Sequence, residues 1–70
     1  MNVEMIVIDQ QQYLILKEIP YHNIRFVFLS NVMNPDDVLI RKRNRDTNQY
    51  IPLESVEEVH LASFLLYNSI

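Results

Sequence analysis

The sequence predicts an α+β fold: an antiparallel sheet of four to five strands in meander order, with one C-terminal helix packed on one face. Three observations predict it. Apolar segments of strand length fill the chain before residue 54, and turn residues separate them. A helix-start signature, Ser55-Val56-Glu57-Glu58, then opens the most helix-compatible stretch. Strands first and a helix last indicate an antiparallel sheet rather than repeated βαβ units.

The first strand runs from Val3 to Asp9 and stops at Gln10-Gln11-Gln12. The second spans Tyr13 to Ile19, and Pro20-Tyr21-His22-Asn23 reads as a turn, with Pro20 fixing φ and Asn23 tolerating the left-handed region. The third, Ile24 to about Asn31, is rich in β-branched and aromatic residues. Asn34-Pro35-Asp36-Asp37 forms the next turn, and a strand from Val38 to about Arg43 leads to the polar tip Asn44-Arg45-Asp46-Thr47-Asn48. A short strand from Gln49 to Leu53 contains Pro52, which places it at an edge or ends it there. In the helix, Ser55 caps the first turn and Glu57 and Glu58 meet the positive end of its dipole.

Charge suggests a register. Pairing Ile19 with Ile24 sets Glu18 opposite Arg25 and Ile15 opposite Phe28; pairing Asp9 with Gln12 sets Ile6 opposite Ile15 and Glu4 opposite Lys17. One face then collects Ile6, Ile8, Tyr13, Ile15, Ile19, Ile24, Phe26 and Phe28, the expected core beneath the helix. The other collects Met5, Val7, Leu14, Leu16, Val27 and Leu29, which a single helix cannot also cover. The helix carries a second excess: Leu61, Phe64 and Leu65 lie off the stripe of Val56, Val59, Ser63, Leu66 and Tyr67. Leu14, Leu16, Val27, Leu29, Leu61, Phe64 and Leu65 are therefore the candidate interaction surface.

Composition excludes more than it supports. Among 70 residues there is no glycine and no cysteine. Phosphate-binding loops and nucleophile elbows need glycine where backbone approaches a ligand. Disulfide frameworks, thiolate zinc sites and cysteine nucleophiles need cysteine. Seventy residues form one domain near the lower size limit for independent folding, with little room for an enclosed pocket of ~300 Å³ or more. No apolar run approaches the ~20 residues of a membrane span, and the N-terminus lacks the basic region of a secretion signal. A cytoplasmic location follows by default. Frequent isoleucine and asparagine fit an AT-rich bacterial or phage genome.

The net charge of −3 conceals an asymmetry. Arg41, Lys42, Arg43 and Arg45 supply four of six cations, leaving two against nine carboxylates elsewhere. That run could contact phosphates, with Arg41 and Arg43 on one strand face and Lys42 on the other. It equally suits an edge strand kept soluble by charge. Glu57 and His60 have the Glu-x-x-His spacing of di-iron bundles, but those need two copies on long facing helices, so no metal or other cofactor is expected. His22 sits in a turn, and nothing joins Ser30, Ser55 or Ser63 to a histidine. The expected function is a non-catalytic interaction or accessory module that self-associates through its spare apolar surface. The alternative is a nucleic-acid-binding accessory factor using residues 41–45.

The layout carries one resemblance. An Ile-Val-Ile-Asp opening strand precedes a strand holding Phe26-Val27-Phe28-Leu29. The stretch Asn34-Pro35-Asp36-Asp37-Val38-Leu39-Ile40-Arg41 follows, and Tyr50-Ile51-Pro52-Leu53-Glu54 leads into the acidic helix start. As a pattern of elements over most of the chain, this resembles the small YrzB-like proteins of Firmicutes. The resemblance implies a small α+β fold in a bacterial cytoplasm and brings no activity or functional residues.

Overall fold

In a computed structural model of the chain, residues 4–44, 46 and 49–68 are described. Five strands, β1 (Met5–Ile8), β2 (Gln11–Tyr21), β3 (Ile24–Asn31), β4 (Val38–Asn44) and β5 (Tyr50–Pro52), form one antiparallel meander in the order β1-β2-β3-β4-β5. The sheet curls into a half-barrel, and helix α1 (Val56–Asn68) follows it. The α+β class, strand number and meander order agree with the sequence.

The register differs, and the turns explain why. Ile8 pairs with Gln11, so Asp9-Gln10 forms the first turn rather than Gln10-Gln11. Both central residues have positive φ, 51° at Asp9 and 68° at Gln10. Two-residue hairpins favour that geometry because its twist matches the strands. Without glycine, Asp9 is the better occupant of the first left-handed position, since its short polar side chain tolerates that region. Ile6 consequently faces Tyr13, and Met5 faces Leu14.

At the second hairpin, Tyr21 pairs with Ile24 and the turn shrinks to His22-Asn23. His22, not Asn23, takes the positive φ of 54°. Pro20 lies within β2 opposite Arg25. It is tolerated there because, among the described residues, contact with the first strand ends at the Ile15 N–H to Glu4 carbonyl bond, leaving this stretch of β2 as a sheet edge. Glu18 no longer faces Arg25 directly, yet the Arg25 guanidinium reaches it diagonally at 3.5 Å.

A β-bulge at Leu16 decides the core. Below it Lys17 pairs with Phe28 and Ile19 with Phe26; above it Ile15 pairs with Leu29 and Tyr13 with Asn31. One extra residue reverses which face each side chain takes. The single core face expected from sequence therefore splits in two. Tyr13, Val27 and Leu29 form one buried cluster with Ile6, Ile8, Ile15, Leu39 and Tyr50 packed against it. Phe26, Phe28 and Ala62 form another, with Ile19, Ile24, Ile40, Leu53, Leu61, Leu65 and Leu66 around them. Curling shields the first cluster; α1 shields the second.

The start of α1 is held as its residues require. The Glu58 N–H donates to Ser55 Oγ at 3.1 Å, and Glu58 Oε1 accepts from the Glu54 N–H at 2.9 Å. Glu58 also receives Lys42 Nζ at 2.7 Å, which ties the helix to β4. The Lys42 contact first, and the Glu54 N–H second, hold the Glu58 carboxyl below its ordinary value; desolvation opposes them more weakly. A depressed folded value makes this contribution present above the unfolded pKa and lost as pH falls through the folded one. Glu58→Gln should therefore lower the urea midpoint at neutral pH and flatten its decline between about pH 5 and pH 3. An identical pH profile for the variant would show that Glu58 carries none of the acid sensitivity.

Candidate interaction surface

The structure divides the seven residues of the candidate surface. Val27 and Leu29, each 0% exposed, lie at the centre of the first core cluster and present nothing to a partner. Leu61 and Leu65 are half-buried and pack on the sheet through the second cluster. Leu14 is half-buried. Leu16 at 59% and Phe64 at 63% are exposed. The correction has two causes. The Leu16 bulge and the curl of the sheet enclose the supposed spare face. On the helix, Ala62, with no surface exposed, packs with Phe26 and Phe28, and Leu61, Leu65 and Leu66 lie inward around it. The stripe of Val56, Val59, Ser63 and Tyr67 is outside instead.

Apolar surface remains elsewhere. Opposed residues on neighbouring strands share a face, so Met5, Leu14, Ser30 and Val38 make one row across four strands on the helix side. Val7, opposite Gln12, lies on that side too. The next row, Lys17-Phe28-Ile40, is where α1 begins to cover the sheet. Met5 (58%) and Val7 (67%) are exposed, as is Val38. The sequence places Met5 and Val7 on the uncovered face without including them in the candidate surface, and it gives no sign of Val38.

A cleft of about 740 Å³ lies between the first turn and the β3–β4 connection. Asn31 and Asp37 bind much of its wall together. Asn31 Oδ1 accepts from the N–H groups of Met33 at 2.9 Å and Asn34 at 3.3 Å, while Asn31 Nδ2 donates to Gln11 Oε1 and Asp37 Oδ2. The Tyr13 hydroxyl donates to Asp37 Oδ2 at 3.3 Å, and the Asp37 N–H closes the expected turn on the Asn34 carbonyl at 2.9 Å. This network keeps Asn31 buried without an unmet hydrogen bond and fixes the loop.

The basic segment is divided as the strand alternation implies. Lys42 faces α1 and Glu58. Arg43 reaches Glu18 at 3.4 Å, with its guanidinium 5.7 Å from the centre of the Tyr50 ring. Arg41 Nη1 donates to the Ile40 carbonyl at 3.3 Å. Arg45 lies outside the described residues. Lys42 and Arg43 thus already have carboxylate partners. Glu57, His60 and His22 are all exposed. Among the described residues, no helix is long and apolar enough to cross a membrane.

No family model, curated protein or solved structure matches the chain.

Proposed function

We propose that the protein is a small interaction module that associates with a second copy of itself through the row of Met5, Leu14 and Val38 together with Val7 and Leu16. The observation carrying this reading is that α1 stops short of that row and leaves its aliphatic side chains in water. Clustered aliphatics on one face are less common on monomers than scattered ones. The patch is small. Stable interfaces bury about 800 Å² per partner, whereas five partly covered aliphatics supply roughly a few hundred. Association should accordingly be weak, with a Kd on the order of tens to hundreds of micromolar.

Sedimentation over a concentration series up to about 500 µM tests this. The weight-average mass should rise with concentration, and Met5→Lys with Val7→Lys should hold it at the monomer value while leaving the circular dichroism unchanged. Both positions are exposed, so the substitutions place charge in water. A wild-type protein that stays monomeric throughout would refute self-association. Association unaffected by the double substitution would place it on another surface.

A further inference from the structure

We propose that the outer edge of β4 beside the start of α1 is a vacant strand slot. Its occupant is an extended peptide with an aliphatic–acidic–aliphatic pattern, supplied by a partner protein. β5 pairs with β4 only at Arg41, Lys42 and Arg43. After Pro52 the chain leaves for the helix, so Val38, Leu39 and Ile40 have β3 on one side and, among the described residues, no strand on the other. The Asn31 N–H donates to the Asp37 carbonyl across the β3–β4 ladder. Antiparallel alternation then turns the backbone polar groups of Val38 and Ile40 outward, into the slot. A groove of about 310 Å³, lined by Val38, Ile40, Arg41, Leu53 and Val59 among others, runs along this edge.

The edge lacks the usual guards. The exposed stretch of β2 is protected by a bulge at Leu16, by Lys17 and Glu18, and by Pro20. The free part of β4 is Val-Leu-Ile, with neither proline nor charge. At its lower end the half-buried Arg41 donates to the Ile40 carbonyl, a contact an incoming strand must displace, and it is paired with no carboxylate among the described residues.

Those features specify the occupant. A strand added here continues the line of β5 and alternates its side chains between the two faces. Residues opposite Val38 and Ile40 fall on the helix side, against Val59 and Leu53, where branched aliphatics fit. The residue between them, opposite Leu39, falls on the face of Arg41 and lies diagonal to it, where a carboxylate completes a charge-assisted pair.

The probe is acetylated, amidated Thr-Val-Glu-Val-Thr, titrated into the full chain and followed by amide chemical shifts. Saturable shifts at Val38, Leu39, Ile40 and Val59 are the expected result. Arg41→Glu should weaken binding roughly tenfold or more, and the Val-Lys-Val version of the peptide should then restore it. Val59→Asp, an exposed helix position, should also weaken it and serves as a second variant should Arg41→Glu misfold. Three results would overturn the proposal: no saturable shift at millimolar peptide, shifts confined to other residues, or affinity unchanged in folded variants. Val38 is shared with the Met5 row, so concentration-dependent shifts without peptide count against the proposal, in favour of a second copy, only where they reach Leu39, Ile40 and Val59. Neither Arg41 nor Val59 belongs to the Met5 row, so failure here leaves the self-association reading to its own test.

Discussion

Leu29→Lys is expected to unfold the chain, whereas Leu16→Lys should leave it folded. Both leucines look alike in an alternating sequence, yet their surroundings differ completely. Leu29 has no exposed surface and is flanked by Ile15 on β2 and Leu39 on β4. Removing a buried leucine costs about 2–5 kcal/mol in lost packing and cavity. An ammonium left there with no carboxylate partner adds several kcal/mol more unless it gives up its proton. A domain of 70 residues has only about 4–10 kcal/mol in total. The penalty therefore matches or exceeds the whole stability. Leu16 occupies the bulge with most of its surface in water, where lysine costs about 0.5 kcal/mol or less. Circular dichroism with urea titration separates the two outcomes. A cooperative Leu29→Lys transition near the wild-type midpoint would show that this side of the sheet is not a packed core.

The element order was legible because each element announces itself locally. Apolar strand-length runs, the Asn34-Pro35-Asp36-Asp37 turn and the Ser55 cap depend on residues a few positions apart, and all are where the sequence puts them. Pro52 ends β5 for the reason its missing N–H suggests. The register was not legible, because it depends on which of several poor turn formers accepts positive φ when no glycine is present. The bulge at Leu16 was still less accessible. Nothing in Ile-Leu-Lys announces an extra residue, and its effect is to exchange the faces of everything beyond it. The candidate surface inherited that error, so Val27 and Leu29 were read as outside. On the helix, two apolar sides competed, and the small Ala62 gave no sign that it would be the contact point. The basic run was legible as charge, but Glu18 and Glu58, which satisfy Arg43 and Lys42, are distant in sequence.

Phe28→Ala is expected to cost about 3–5 kcal/mol, and Phe64→Ala about 0.5 kcal/mol or less. The first lies under α1 beside Ile40 and Ala62, with 1% of its surface exposed; the second projects from the outer side of the helix. The cost at Phe28 should fall toward the top of its range because of what surrounds the void. Core truncations are cheapest where neighbouring side chains can swing in and refill the space. Here the fully buried helix residue of the cluster is Ala62, whose methyl has no alternative rotamer, and β3 is clamped between β2 and β4 on both sides. The backbone cannot close the void, which leaves only the half-buried leucines of the cluster to refill it. The cavity also sits at the junction that holds α1, so Lys42–Glu58 would be left as a main tether between helix and sheet. Surface pairs of that kind hold a helix only weakly. Loss of Phe28 should thus loosen the helix before the sheet, with hydrogen exchange in α1 rising ahead of that in β3. Equal protection losses in both elements would mean that helix and sheet unfold as one unit, and a cost below about 1.5 kcal/mol would show that the junction repacks after all.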